Sequence, residues 1–114
     1  MAYLIEESPR MLMPSLALMV GINEALVLQE VYFQCTQPQS GVVDADGNKW
    51  VGGSYQTWKD LYFPFWGVRT IQNIFLSLEK KGLMLKTARL LHQWDNTKFY
   101  RIDVAAVRAM LAKD

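Results

Sequence analysis

The 114-residue sequence has little of the chemistry on which disulfides, metal sites and most active sites depend. It contains one cysteine, Cys35, and one histidine, His92, so an internal disulfide is excluded and a zinc site has too few strong ligands. A nucleophilic pair of Cys35 and His92 has no supporting local motif, and no glycine-rich nucleotide loop occurs. We therefore expect a protein that is not an enzyme and that uses no metal and no cofactor.

Long hydrophobic runs are also missing. No stretch of about 18 apolar residues is present, and Glu6 and Glu7 stand where a signal peptide carries positive charge. These absences predict a cytoplasmic protein with no membrane partner. Hydrophobic residues make up 51% of the chain and charged residues 20%, which is typical of a globular domain and not of a disordered segment.

The whole chain has no large excess of either charge, and its net charge is +1. Its two halves differ in their balance of acidic and basic residues. Residues 1–48 contain one basic and six acidic residues, and residues 49–114 contain eleven basic and five acidic residues. This asymmetry favours one face for a polyanion and another for a different partner. Chance clustering of charges on a solvated surface would give the same counts.

The clearest helical pattern covers residues 68–81. Gly67 is placed to cap the start of this helix, and Gly82, which follows two lysines, is placed to end it. The opposite side carries polar side chains together with Leu76, and arginine, asparagine and glutamine can pair with base edges. The apolar residues that share the other side of the helix are Val68, Ile71, Ile74, Phe75 and Leu78.

The segments around this helix complete a helix-turn-helix pattern. Ser54 is placed to cap the preceding helix, and the aromatic turn Phe63–Trp66 joins it to helix 68–81. The helix that Asn23 is expected to cap is apolar on most sides, which is typical of a central core helix or of a subunit contact. Cys35 at its end is expected to be a buried structural thiol. The other predicted helices are Ser15–Val20 behind Pro14, Glu24–Cys35, Tyr55–Tyr62, and Val104–Lys113 capped by Asp103.

Three short segments have strand character. Lys49–Val51 follows a predicted loop, Thr36–Asn48, and two further runs, Leu83–Leu91 and Lys98–Asp103, flank a polar tip at His92–Thr97. Together they predict a small three-stranded antiparallel sheet with a hairpin, or wing. The predicted fold is an α+β winged helix-turn-helix of about five helices over residues 14–114, with residues 1–13 as an N-terminal arm.

The order and spacing of several blocks also resemble a known family. The blocks are N-E-A-L-V-L-Q, K-W-V, S-Y-Q-T-W, F-P-F-W, R-T-I, L-E-K-K-G-L and D-N-T-K-F-Y-R-I-D. This series, from Gly21 to Asp103, resembles the winged-helix domain of DnaD-like primosome proteins and of phage and plasmid replisome organisers or replication initiators. The resemblance implies DNA binding or replisome assembly, often with self-association through the N-terminal part. Because full-length initiators continue beyond the wing, it also implies that this chain is a fragment or a small relative.

The expected partner is double-stranded DNA. Arg69, Asn73 and Gln72 are expected to face base edges, flanked by Thr70 and Ser77. So few cations predict modest affinity and a weak salt dependence. The residues expected to contact phosphates or to lie at the tip of the wing are Lys80, Lys86, Arg89, Lys98 and His92, with Arg101 as a further candidate for a phosphate contact.

Two other functions fit the same pattern. The first is a protein-assembly module that forms a homodimer or higher oligomer through its N-terminal half and contacts replisome proteins. The second is a winged-helix transcriptional regulator, because the fold alone does not fix the function.

Overall fold

The computed structural model describes residues 12–88, 90 and 96–112. Over these residues the chain is a small α+β domain with five helices and a four-stranded antiparallel sheet. Residues 1–11 of the predicted N-terminal arm lie outside the described residues. The elements are α1 (Pro14–Val20), α2 (Ile22–Thr36), β1 (Val42–Val43), β2 (Lys49–Gly52), α3 (Tyr55–Leu61), α4 (Val68–Lys80), β3 (Met84–Ala88), β4 (Lys98–Ile102) and α5 (Val104–Ala112).

The prediction of three strands is wrong by one strand. The segment 36–48, predicted as a loop, contains β1, in which Val42 and Val43 pair with Trp50 and Lys49 of β2. The turn between them is closed by Asp44, whose Oδ1 accepts hydrogen bonds from the backbone N–H groups of two following residues at 2.9 Å. A two-residue strand has no alternating pattern, and turn-forming Asp and Gly residues dominate its surroundings.

The four strands lie in the order β1-β2-β4-β3. The predicted pairing of the last two strands is confirmed, with Met84 opposite Ile102 and Ala88 opposite Lys98. β2 pairs with β4 at Gly52, where a Cβ atom would lie 2.6 Å from the ring of Phe99. Glycine is therefore required at this close approach.

Three aromatic residues join the helices to the sheet. Phe75 of α4 lies with its ring centroid 5.5 Å from Trp58 of α3 and 4.8 Å from Tyr100 of β4, and all three side chains are buried. Val27 and Val31 of α2 are fully buried in the same core. The core thus lies between α2, the α3–α4 pair and the sheet.

One glycine separates α1 from α2. Gly21 has φ 95° and ψ 156°, a conformation essentially restricted to glycine. Its N–H donates to the carbonyl of Ala17 at 2.8 Å, and its carbonyl accepts from Ala25 at 2.9 Å, so it ends α1 and begins α2. The prediction that Asn23 caps α2 is wrong, because the helix already starts at Ile22.

The predicted last helix forms with its cap. The Asp103 carboxylate accepts a hydrogen bond from Ala106 N–H at 3.1 Å. Val104 and Val107 pack against the core, but Leu111, which the pattern directs inward, is 36% exposed.

Within the described part of the chain, no single helix has the length and apolar composition needed to cross a membrane. Taken together, α1 and α2 have the length and apolar composition of a membrane span, but a bend of 120° separates the two helices.

Candidate nucleic-acid interface

Helix α4 is fixed by a buried apolar face. Ile71, Phe75 and Leu78 are fully buried, and Ile74 is 5% exposed. These are four of the five residues that the helical spacing predicts to face inward, and the prediction is confirmed for them. The fifth, Val68 in the first turn, is half-buried. The opposite side of a 13-residue helix is thereby turned toward solvent.

The two ends of α4 are defined by local hydrogen bonding. Gly67 is the N-cap in an extended conformation, as predicted. At the other end Gly82 adopts φ 75°, its N–H donates to Glu79 O, and Leu83 N–H donates to Leu78 O, both at 3.0 Å. This is the Schellman arrangement, in which a left-handed glycine pairs the last carbonyls of the helix. It leaves Lys80 in the final turn, close to the negative end of the helix dipole.

The polar side of α4 forms one stripe. Lys80 lies about 20° around the helix axis from Arg69 and about 17 Å along it, and Asn73 lies about 40° from Arg69. Leu76, 44% exposed, falls within the same stripe. Ser77 is half-buried at its border. The predicted site residues of α4 that are exposed are Arg69, Thr70, Gln72, Asn73 and Lys80.

The turn between α3 and α4 is held by Lys59. Its ammonium group donates to the carbonyl oxygen of Trp66 at 2.7 Å and to that of Pro64 at 3.2 Å. Phe63 is buried beneath the turn, whereas Phe65 is 66% exposed. The ammonium group of Lys59 is therefore occupied by hydrogen bonds to the backbone, and these bonds fix the position at which α4 begins.

The basic residues of the hairpin differ in their surroundings. Lys98 is exposed at the start of β4. Lys86 of β3 forms an ion pair with Glu79 of α4, with 3.0 Å between Nζ and Oε1. Its charge is thus partly offset by a carboxylate from α4 itself. Arg89 and His92, also predicted to contact DNA, lie outside the described residues.

Two further cations, Lys81 and Arg101, have different surroundings. The sequence pattern assigns no DNA contact to Lys81, and it adds Arg101 to the candidate phosphate contacts of the wing. Lys81, the C-cap of α4, is exposed next to Lys80. The sequence signal that could have identified Lys81 is its place beside Lys80 at the end of α4, beyond the last buried apolar residue. Arg101 is half-buried, with its guanidinium carbon 5.2 Å from the centroid of the Trp50 ring. This geometry is a cation–π contact within the domain.

The shifted ionisable groups serve the structure. Burial raises the pKa of the Tyr100 hydroxyl well above its usual range, and a hydrogen bond with Tyr55 raises it further. Burial likewise raises the pKa of the Cys35 thiol, which lies 4.0 Å from a backbone carbonyl oxygen. The pKa of Asp44 is lowered, chiefly because Trp50 Nε1 donates to its carboxylate at 2.8 Å. These groups pack elements together and lie apart from the stripe on α4.

The described residues contain no cluster of side chains that could bind a metal ion. Among residues 12–88, 90 and 96–112, no three His, Cys, Asp or Glu side chains come together where they would hold a metal ion.

No protein-family model, no curated protein and no solved structure matches this chain. What the chain does must therefore be inferred from its own geometry and charge.

Proposed function

We propose that this chain is a winged-helix DNA-binding domain that inserts α4 into the major groove of duplex DNA. The observation that carries the proposal is the exposed stripe of Arg69, Asn73 and Lys80 on a helix whose other side is buried. The major groove admits an α-helix and carries the donor and acceptor pattern that distinguishes the base pairs. The β3–β4 hairpin beside α4 is the wing.

The side chains on the stripe suit base recognition. The guanidinium of Arg69 pairs in a bidentate manner with guanine, and the amides of Gln72 and Asn73 pair with adenine. Each such pair contributes about 1–3 kcal/mol of discrimination against the wrong base. Thr70 and Ser77 supply hydroxyl groups at the border of the contact.

The phosphate contacts come from the end of the helix and from the wing. Lys80, Lys81 and Lys98 are exposed, and they contact the backbone on either side of the groove. Lys86 contributes less because Glu79 offsets its charge. About three phosphate contacts give a slope of about −3 when log affinity is plotted against log salt concentration. Affinity for a single domain is accordingly modest.

The test is fluorescence anisotropy with a labelled duplex over a series of salt concentrations. We expect salt-dependent binding by the wild type, and a loss of at least about tenfold in the double variant Arg69→Ala, Lys80→Ala, because both a base contact and a phosphate contact are removed. The single variants Arg69→Ala and Arg108→Ala form a charge-matched pair, and Arg108 lies on α5. Absence of binding, or equal loss in these two single variants, contradicts the proposal.

We further propose that the DNA binding serves replication initiation or replisome organisation in the cytoplasm, with replisome proteins as partners. The resemblance of the sequence blocks to replication-initiator winged helices supports this role. Chromatin immunoprecipitation in the native host distinguishes it from transcriptional regulation. Enrichment at a replication origin is expected, and enrichment confined to promoters favours the regulator instead.

A further inference from the structure

One apolar side chain lies on the exposed polar side of α4. The structure describes this helix throughout, and of its six exposed residues only Leu76 is apolar. Leu76 is 44% exposed and takes no part in the hydrophobic core. Helix formation does not require a leucine there either, because arginine, lysine and glutamine favour a helix about as strongly. The side chain is therefore available for a contact outside the domain.

Leu76 lies among the side chains that are proposed to read DNA. Consecutive helical residues are about 100° apart around the axis and about 1.5 Å apart along it. Leu76 is therefore about 20° from Arg69 around the axis and about 10 Å from it along the axis. Asn73 precedes Leu76 by about one turn, and Lys80 follows it by about one turn. A helix that brings Arg69 and Asn73 to the base edges of a major groove brings Leu76 into the same groove.

The size of the exposed apolar surface indicates the kind of group that Leu76 contacts. The other exposed residues of α4 are all polar, so this side of the helix has no continuous apolar patch. A protein partner buries roughly 800 Å² on each side, with an apolar centre enriched in aromatic residues, and a single leucine does not supply such a centre. The major groove offers an apolar group of matching size, the C5-methyl group of thymine, which side chains with apolar surface contact.

We propose that Leu76 is a specificity-determining residue that contacts the C5-methyl group of a thymine. The inference rests on the proposed insertion of α4 into the major groove, and it adds one base to the sequence that the domain reads. Arg69 and Asn73 recognise guanine and adenine through hydrogen bonds, whereas Leu76 recognises thymine by removing apolar surface from water. The preferred binding site therefore contains at least one thymine.

Thr70 is the other exposed residue of α4 whose side chain ends in a methyl group. A threonine methyl also contacts thymine in some complexes, but Thr70 lies about 120° from Leu76 around the helix axis. The two side chains therefore approach different parts of the groove. A substitution at Leu76 alone separates its contribution from that of Thr70.

The experiment compares thymine with uracil, which pairs with adenine in the same way but lacks the C5-methyl group. The probe is a duplex that the wild type selects from a random-sequence pool, together with a duplex of the same sequence in which deoxyuridine replaces thymidine throughout. Fluorescence anisotropy gives the dissociation constants of both duplexes for the wild type and each variant.

The variants form a matched set. Leu76→Ser removes the apolar contact, and Leu76→Met retains an apolar side chain at the same position. Leu18→Ser makes the serine substitution at a leucine of α1 that is 87% exposed. Since both leucines are exposed, we expect every variant to fold, and circular dichroism checks this.

We expect the wild type to bind the thymine duplex about fourfold more tightly than the uracil duplex, because the contact with one methyl group is lost. Leu18→Ser and Leu76→Met keep most of this ratio, and Leu76→Ser brings it to about one. The slope of log affinity against log salt concentration stays unchanged in Leu76→Ser, because no phosphate contact is removed.

Equal binding of the two duplexes by the wild type overturns the inference and leaves the proposed DNA binding intact. A selected duplex without thymine does the same. If Leu76→Ser retains the wild-type ratio, another side chain reads the methyl group and the assignment to Leu76 is wrong; loss of the ratio in Leu18→Ser also contradicts it. A wild type that binds no duplex contradicts the proposed function itself, and the inference fails with it.

Discussion

Helices α4 and α2 differ in how their buried and exposed residues are distributed around the helix axis. α4 separates its residues into a buried apolar side and an exposed polar side, where only Leu76 breaks the polarity. α2 has no such division. Its buried residues lie around most of its circumference and include two polar ones, Glu30 and Gln34, while Tyr32 and Phe33 remain exposed.

The difference follows from what each helix contacts. α2 packs against α1, α4, β2 and β4, so it is enclosed on several sides. α4 packs against α2, α3 and β3, which leaves one side without protein neighbours within the described part of the chain. An enclosed helix serves the core. A helix with one open polar side is available to a polar ligand, and this is the basis of the proposed DNA contact.

The largest expected effect separates the two sides of α4 at neighbouring positions. Phe75→Ala removes a fully buried ring that contacts Tyr55, Trp58 and Tyr100. We expect the free energy of unfolding to fall by about 3–5 kcal/mol, because the lost burial and the cavity add. Urea denaturation followed by tryptophan fluorescence measures it.

Leu76→Ala is the control for that measurement. Leu76 is the next residue, is 44% exposed, and lies on the open side. Its truncation should cost less than about 1 kcal/mol. A cost similar to that of Phe75→Ala would mean that protein covers the outer side of α4, and the comparison between the two helices would fail together with the DNA proposal.

The same contrast explains what could be predicted from the sequence. In α4 the apolar spacing, the N-cap and the C-terminal Gly82 are all local signals, and they place the helix within one residue of its observed end. The start of α2 and the strand β1 lack signals of this kind. Gly21 joins two helices through its backbone alone, and β1 exists because β2 is beside it.

The candidate site was predictable to the same degree. Helical periodicity is enough to direct Arg69, Asn73 and Lys80 outward. The ion pair between Lys86 and Glu79 was not predictable, because it joins a strand to a helix and needs the three-dimensional packing. The apolar cavity of about 770 Å³ beside α2 was not predictable either, because its shape requires α5 and the aromatic turn to come together.

The N-cap glycines of α2 and α4 give a second test of the comparison between the two helices. The change at α2 is expected to have an intermediate effect on the free energy of unfolding. Gly21→Ser places a side chain at φ 95°, where its Cβ atom would also lie 3.1 Å from a carboxylate oxygen of Glu24. We expect the free energy of unfolding to fall by about 1–3 kcal/mol, because this backbone region is essentially restricted to glycine. Chemical denaturation measures the change. An unchanged stability would show that the bend between α1 and α2 tolerates other conformations.

The smallest effect is expected from the same substitution at the start of α4. Gly67 has φ −76° and ψ 161°, which any residue adopts, and a Cβ atom there meets nothing within 4 Å. Serine at this position can accept a hydrogen bond from a free N–H of the first turn and restricts the unfolded chain, so Gly67→Ser should stabilise the domain by a few tenths to about 1 kcal/mol. The opposite signs of the two serine variants, measured in one denaturation series, follow from backbone geometry alone. Destabilisation by Gly67→Ser would mean that the first turn of α4 is already satisfied by another contact, and that its N–H groups are not available to a DNA phosphate.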